Sequence, residues 1–211
     1  RLILGQHLAR PPASLIIKQP VGERPRLAGS TVDTQPSFTV SHSGSQIIIA
    51  VANCPVGVDV EQEREDDWLT IADQFFHADE ITWLTNSEEA TRQEQFFRLW
   101  TLKEAYLKGL GRGLDRMLNS FCICPSVSDS ATLKDPLNQT PWQLQTLNTV
   151  PGYAAAIAIG SSIEAPNPAA REAAMTQQMT TELAIRNQMI TNKTIIERDI
   201  TELLDQAPSV K

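Results

Sequence analysis

The feature that most constrains the fold is a long amphipathic segment between Glu94 and Leu110. Its large apolar side chains recur at helical spacing, which places them on one face of an α-helix: Phe96, Phe97, Trp100 and Leu107. Gly109 and Gly111 stand at its end, where glycine readily terminates a helix. The segment therefore predicts a single long helix whose apolar face packs on another layer of the protein.

Short runs rich in β-branched residues lie on both sides of this helix, separated by Gly, Pro, Ser and Asn. They begin at Leu15, Ser37, Gln46 and Val56 before the helix, and at Ser120, Trp142 and Tyr153 after it. A second helical stretch runs from Trp68 to Leu84, with a local start near His77. Strands, then helices, then strands predict an α+β fold that could be built from two similar halves.

The composition changes after Gly160 to a Ser- and Pro-containing stretch and then to a polar segment. Apolar residues between Met175 and Leu203 recur roughly as in an amphipathic helix, or in two helices broken near Thr191. We therefore expect a main domain at residues 1–162, followed at 163–211 by a linker and a helical C-terminal extension, most simply a packing element.

Composition narrows the classes of function. The 211 residues are 41% hydrophobic and carry a net charge of −7, which argues against nucleic acid as a partner because no long basic stripe is present. No run of about 18 apolar residues and no secretory signal is seen, so we expect no membrane partner. Three cysteines without a framework spacing favour reduced thiols and a cytoplasmic location.

An acidic pair stands out in Gly57-Val-Asp-Val-Glu61. Strand alternation places Asp59 and Glu61 on one face while Val58 and Val60 point into the core. Two carboxylates this close favour a hard divalent cation between them. Taken alone, the pair is more often two solvated acids at a strand end.

Two further groups of residues carry candidate chemistry. Glu104 and Lys108 are four apart and share a helix face, with Lys103 about 100° further round, although such a pair is usually an ordinary surface ion pair. Ser41 and His42, in Ser-His-Ser-Gly at a strand end, can donate hydrogen bonds to a phosphate, although a simple turn is the commoner explanation.

The order and spacing of these motifs change the interpretation. Ser-His-Ser-Gly, then Val-Gly-Val-Asp-Val-Glu, then Phe-Phe-Arg-Leu-Trp-Thr-Leu-Lys-Glu-Ala-Tyr-Leu-Lys resembles the 4'-phosphopantetheinyl transferases of the large monomeric, Sfp-like type. Gly22-Glu-Arg-Pro-Arg-Leu, Phe75-Phe-His-Ala-Asp-Glu-Ile and Gly111-Arg-Gly-Leu strengthen the resemblance, which covers residues 1–160. It implies two α/β halves related by a pseudo-twofold axis, with coenzyme A and Mg²⁺ bound between them.

The resemblance also implies roles for individual residues. Asp59, Glu61 and Glu104 match the metal ligands. Lys103 and Lys108 match the phosphate-contacting lysines, and Ser41 and His42 match the pair near the pyrophosphate and the 3'-phosphate. Arg24 and Pro25 match the segment that lines the adenine.

The implied reaction is transfer of the 4'-phosphopantetheine group of coenzyme A to a serine of an apo acyl or peptidyl carrier protein in polyketide, nonribosomal peptide or fatty acid biosynthesis. Within it, Asp59, Glu104 and Lys108 form the expected catalytic set, with Glu104 accepting the serine proton. Trp68 is the expected carrier anchor, whereas Phe75 and Phe76 are expected in the core.

Two alternatives stay open at this point. One is a nonenzymatic coenzyme A or carrier-protein binding module within a larger synthase, and the other is a metal-dependent phosphohydrolase. Family members carry several tens of residues before the point that matches Arg1, so we expect an N-terminal part to be missing here, and another chain could supply it. The segment after Ser162 has no counterpart in the resemblance.

Overall fold

The computed structural model describes residues 1–19, 24–28, 36–65, 67–111, 116–126 and 128–161, and the backbone of 184–189 and 195–199. Its α-helices are α1 (Leu2–His7), α2 (Trp68–Phe75), α3 (Ala78–Asn86) and α4 (Arg92–Leu110). The strands before the helical region are β1 (Ile17–Lys18), β2 (Arg26–Leu27), β3 (Ser37–Ser43), β4 (Gln46–Ala52) and β5 (Val56–Gln62). Those after it are β6 (Cys122–Pro125), β7 (Ser130–Lys134), β8 (Trp142–Thr146), β9 (Tyr153–Gly160), β10 (Ala184–Met189) and β11 (Ile195–Asp199).

The strands form antiparallel sheets. A five-stranded sheet has the order β5-β9-β8-β7-β6, a four-stranded sheet has the order β11-β10-β4-β3, and β1 pairs with β2. In the larger sheet β5 and β9 are neighbours although about 90 residues separate them, with Asp59 opposite Ala156 and Glu61 opposite Ala154. This long connection contains all of α2, α3 and α4 and places them with the larger sheet.

Helix α4 packs directly across β5 and supplies seven of the fifteen buried residues of the adjacent core cluster. A Cβ atom on Gly57 would lie 1.9 Å from the carbonyl oxygen of Ala105 and 2.3 Å from the amide nitrogen of Gly109, so only glycine allows the strand and helix to approach this closely. The other face of β5 presents Val56, Val58 and Val60 to a second apolar cluster that includes Ile48. Both faces of β5 are therefore covered.

The two larger sheets meet where β3 lies beside the outer edge of β5, and side-chain hydroxyls join them. Thr39 Oγ1, Ser41 Oγ and Ser43 Oγ accept hydrogen bonds from the backbone amides of Val58, Val60 and Gln62, at 3.1, 3.3 and 3.0 Å. An open strand edge presents unpaired amides, and here alternate hydroxyls of β3 satisfy them. The contact fixes the position of β3 relative to the acidic strand.

The α+β class predicted from the sequence is confirmed, as is the long helix. It extends from Arg92 to Leu110 and ends at Gly111, whose φ of 70° is the left-handed conformation that glycine adopts without strain. A new helix does begin at His77, which caps α3 in a reciprocal capping box with Glu80.

The prediction of a helical C-terminal extension is wrong for the described parts of that segment, which are strands. Residues 184–189 form β10, which pairs antiparallel with β4, and 195–199 form β11, which pairs with β10. The open edge of β4 offers unpaired backbone groups, and adding a strand satisfies them, whereas amphipathic spacing alone does not distinguish a short helix from a strand. Within the predicted linker and helical tail at 163–211, residues 163–183, 190–194 and 200–211 lie outside the described residues.

Candidate active site

The acidic pair on β5 shares one face of the strand, as the alternation predicts, and this face meets α4. Glycine at position 57 lets the last turns of α4 pass close to the strand, and this brings Glu104 and Lys108 over Asp59 and Glu61. Sequence analysis expected two outward acids, but Asp59 is only 1% exposed because α4 covers this face. Glu61, nearer the strand end, is half-buried.

Asp59 is the centre of the arrangement. Its Oδ1 accepts hydrogen bonds from Lys108 Nζ at 2.6 Å and from Ser41 Oγ at 2.7 Å. Its Oδ2 is buried and has no hydrogen-bond partner among the residues that the structure describes. A buried carboxylate oxygen without a donor is costly, so this atom is the best-placed ligand for a cation.

Glu61 and Glu104 complete a group of three carboxylates. Ser43 Oγ donates to Glu61 Oε2 at 2.8 Å and so orients that side chain. The pKa of Glu104 is raised, first by burial and then by the negative charges of Asp59 and Glu61, while Lys108 opposes the shift. Burial likewise raises the pKa of Asp59 against the opposing effects of Lys108 and Ser41.

The donor set fits a hard divalent cation. Asp59 and Glu61 lie close enough to Glu104 to raise its proton affinity, which is the situation that a cation relieves. Lys108 supplies only one positive charge, and its side chain is 31% exposed, so the group opens to solvent on that side. Oxygen donors of this kind suit Mg²⁺, which keeps several of its waters and needs few protein ligands.

Lys103 does not belong to this site, which corrects the expectation that it contacts phosphate. It is fully buried on another face of α4, and its Nζ lies 2.6 and 2.7 Å from the two carboxylate oxygens of Glu80 and 3.0 Å from the carbonyl oxygen of Phe121. Positions 103 and 108 are five residues apart and therefore point in different directions from the helix. All three donor positions of the Lys103 ammonium are occupied inside the protein.

The Ser41–His42 pair is divided between the two faces of β3. Ser41 is buried and lies in the site, where its hydroxyl also accepts a hydrogen bond from Lys108 Nζ at 2.9 Å. His42 is exposed on the opposite face, beside Val40. The structure thus brings Ser41, but not His42, together with the carboxylates.

Arg24 lies at the C-terminal end of α4, where its Nη1 donates to Ser37 Oγ at 3.0 Å and reaches the carbonyl oxygen of Gly109 at 3.5 Å. Burial lowers the pKa of its guanidinium, and the side chain packs on Gly111. Pro25 follows it, half-buried. Both residues therefore lie at the end of the helix that carries Lys108.

Sequence reasoning missed two residues that organise this region. Ser43 orients Glu61, and the period-two alternation with Ser41 along β3 was the signal that could have identified it. Glu80 was expected only to mark the local helix start near His77, and its buried contacts with Lys103 and the amide of Ile123 were missed.

Comparison with a family model supports the resemblance that the sequence motifs carry. The sequence model of the 4'-phosphopantetheinyl transferase superfamily matches residues 55–158, the range that includes Asp59, Glu61, Glu104 and Lys108. A solved structure of the holo-[acyl-carrier-protein] synthase of Thermotoga maritima aligns with a TM-score of 0.43 and 18% identity, over 51% of this chain and 62% of that one.

Among the described residues, no helix has both the length and the apolar character needed to cross a bilayer.

Curated relatives with transferase names match across the same motifs. A 4'-phosphopantetheinyl transferase of Aneurinibacillus migulanus is 42% identical over 92 residues, which are 44% of this chain and 38% of that protein. One of Bacillus pumilus is 37% identical over 158 residues, 74% of this chain and 67% of that protein. The chain spans only about half the length of several others, such as 53% of the Bacillus subtilis transferase Sfp. From its motifs, its site and these relatives, the chain belongs to the 4'-phosphopantetheinyl transferase superfamily.

Proposed function

We propose that this chain transfers the 4'-phosphopantetheine group of coenzyme A to a serine of an apo acyl or peptidyl carrier protein. The observation that supports it best is the gathering of Asp59, Glu61, Glu104 and Lys108 at the contact between β5 and α4. These four residues lie within the range that the superfamily model matches. The relatives that share this range are named for the same transfer.

We assign binding of the pyrophosphate to individual positively charged side chains, because the chain as a whole is acidic, with a net charge of −7. Lys108 is the cation at the carboxylate group, and its partly exposed ammonium can leave Asp59 for a phosphate oxygen. Arg24, at the end of α4, and His42, exposed on β3, are the further groups that we assign to the nucleotide and its 3'-phosphate. Pro25 would then lie beside the adenine.

The residues that would hold Mg²⁺ are Asp59, through its unpartnered Oδ2, together with Glu61 and Glu104. When bound, Mg²⁺ would neutralise charge that develops on the leaving phosphate oxygens. Ser41 and Ser43 hold Asp59 and Glu61 in place through their hydroxyls. The site is thus preorganised by these two serine hydroxyls.

Glu104 is the residue that we assign to accept the serine proton. Its carboxylate lies beside Asp59 and Glu61, a position from which it can serve both the metal and the serine hydroxyl. The serine oxygen forms a bond to the phosphorus on the pantetheine side, and the bond from that phosphorus to the bridging pyrophosphate oxygen breaks. The products are the holo carrier, 3',5'-ADP and a proton on Glu104.

The deciding experiment is intact-mass analysis of several apo carrier proteins after incubation with the full chain, coenzyme A and Mg²⁺. We expect a phosphopantetheine-sized increment on at least one carrier and none in the presence of a chelator. A carrier whose modified serine is replaced by alanine serves as the matched control. Coenzyme A bound without any transfer would favour a binding module, and nucleotide hydrolysis without an acceptor would favour a phosphohydrolase.

The three cysteines are free thiols, which supports a reducing compartment. We therefore place the proposed reaction in the cytoplasm.

A further inference from the structure

A second cluster of metal-ligating side chains lies away from the carboxylate site. His77, Asp79 and Cys122 each present one ligand atom, and these three atoms all lie within 4.8 Å of one another. Imidazole, carboxylate and thiol are the donors that proteins use for zinc, whereas the three carboxylates around Asp59 suit a hard cation. The two groups therefore differ in chemistry as well as in place.

Cys124 lies beside this three-residue cluster, in contact with Cys122. It lies two residues after Cys122 on β6, so both side chains share one face of the strand, and the two sulfur atoms are 3.8 Å apart. Two thiolates on one tetrahedral zinc ion lie about 3.8 Å apart, since each Zn–S bond is about 2.3 Å long. The existing separation of the sulfurs thus already matches that of two zinc ligands.

The surrounding structure fixes the elements that carry the donors. Glu80, in the first turn of α3, accepts hydrogen bonds from the amides of His77 at 2.8 Å and Ile123 at 2.6 Å. It therefore ties the start of α3 to β6, the edge strand on which both cysteines lie. Cys122 is buried, while the side chains of His77 and Asp79 are 37% and 67% exposed, which leaves an entry route from solvent.

Charge around the cluster is compatible with a cation. Lys103 is the nearest buried positive group, but Glu80 neutralises it through a two-oxygen contact. Two thiolates and one carboxylate would bring three negative charges to a divalent ion. His77 Nδ1 accepts the amide hydrogen of Asp79 at 3.2 Å as the helix cap, and the imidazole has a second nitrogen to offer.

We propose that His77, Asp79, Cys122 and Cys124 form a site for a thiophilic divalent cation, Zn²⁺ in particular. The ion would join the N-terminus of α3 to strand β6, two elements more than 40 residues apart in the sequence. Such a crosslink stabilises the folded chain, because the unfolded chain cannot hold the four donors together. The site is independent of the transfer that we propose for Asp59 and Glu104.

Co²⁺ is the probe of choice, because thiolate ligation gives it a sulfur-to-metal charge-transfer absorption that oxygen-only sites lack. The reduced, metal-free full chain is titrated with Co²⁺ while excess Mg²⁺ occupies oxygen-only sites, and Zn²⁺ is then added. We expect the charge-transfer band to appear at one Co²⁺ per chain and to vanish when Zn²⁺ displaces Co²⁺. Zn²⁺ should also raise the melting temperature of the chain.

Variants assign the band to these residues. Cys124→Ser should lower it to about half, because one of two thiolates is lost, and Cys122→Ser should weaken it at least as much. His77→Asn keeps a good helix cap while removing the imidazole, and it should weaken Co²⁺ binding at least tenfold. Cys54→Ser is the matched control, since Cys54 is a free thiol outside the cluster, and it should leave the band unchanged.

Three results would overturn the proposal. They are a reduced chain that shows no charge-transfer band, a band that persists unchanged in Cys124→Ser and His77→Asn, and a band that is lost in Cys54→Ser. Cys122 is buried, and its replacement could unfold the chain. The variants of Cys124 and His77, which are both half-buried, therefore decide the test.

Discussion

Lys103 and Glu80 form a fully buried ion pair in which the ammonium contacts both carboxylate oxygens, at 2.6 and 2.7 Å. The same carboxylate accepts the amides of His77 and Ile123, and the same ammonium donates to the carbonyl oxygen of Phe121. Five polar contacts therefore converge on one buried pair and connect α3, α4 and β6. Lys103, which the family resemblance assigns to a phosphate, instead connects three structural elements through its ion pair with Glu80.

Lys103→Ala should destabilise the chain by about 3–5 kcal/mol, because it leaves the Glu80 charge buried without a partner. Urea unfolding measures this change. The double variant Lys103→Met with Glu80→Gln is the control, and it should be more stable than Lys103→Ala alone, since it buries no charge and keeps an acceptor for the amide of Ile123. A Lys103→Ala chain of normal stability with weakened coenzyme A binding would return Lys103 to the phosphate role.

Thr39→Val should cost about 1–3 kcal/mol of unfolding free energy, because it removes the hydroxyl that accepts the buried amide of Val58 while keeping the side-chain volume. Val40→Thr makes the reverse change one residue away on the exposed face of β3 and should alter stability by about 0.5 kcal/mol or less. Equal effects in both variants, measured by denaturant unfolding, would mean that the hydroxyl contacts between the two sheets contribute little.

Ionised Asp135 should stabilise the folded chain at pH values above its folded-state pKa. Burial acts to raise its pKa, but hydrogen bonds from Arg116 and Tyr106 outweigh burial and hold the pKa below 3.8. The folded state then binds fewer protons than the unfolded state, so the contribution is present above pH 3.8 and is lost as the pH falls through the folded-state pKa.

The test is the difference in unfolding free energy between the wild type and Asp135→Asn, measured from neutral pH downward. We expect this difference to be largest near neutrality and to shrink below pH 3.8. Asp73→Asn, on the exposed face of α2, is the control and should show no such trend. A difference that stays constant with pH would contradict the role of the ionised carboxylate.

We expect the neighbours of Trp68 on α2, rather than Trp68 itself, to contact the carrier protein. Trp68 is half-buried against Phe96, with ring centroids 6.1 Å apart, so its removal would disturb the core. Leu69 and Phe75, on the same helix, are 48% and 40% exposed, although Phe75 was expected in the core. On the proposed function, Phe75→Ala should raise the KM for the carrier with little change in coenzyme A affinity.

Steady-state kinetics with varied carrier concentration measures this effect. Leu137→Ala is the control, because Leu137 is 77% exposed outside the helical region and should leave both parameters unchanged. A normal KM for the carrier in Phe75→Ala would remove α2 from the docking surface.

The sequence was sufficient to predict features that depend on neighbours along the chain. Helix α4, its end at Gly111, the start of α3 at His77 and the shared face of Asp59 and Glu61 all follow from local spacing and capping. The membership of Glu104 and Lys108 in the same site came from the family resemblance, because nothing local says which strand a helix face will meet.

What could not be predicted depends on contacts between distant segments. Asp59 is buried because Gly57 has no side chain and α4 can therefore pack closely against β5. Lys103 can be buried because Glu80 on α3 provides a carboxylate partner for its ammonium. Strand β10 adopts its conformation through pairing with β4, which overrides the helical spacing of its residues. In each case tertiary contacts decided between alternatives that the local sequence left open.

The most direct test of the account is the rate of carrier modification by Glu104→Gln, measured beside Glu65→Gln at saturating Mg²⁺. Glu104 lies over Asp59 and Glu61, whereas Glu65 is an exposed acid just beyond β5. We expect Glu104→Gln to lower kcat by about 10²–10⁴-fold in a folded chain, through loss of the base and of one metal ligand, and Glu65→Gln to be normal. Near-normal turnover of Glu104→Gln would contradict it.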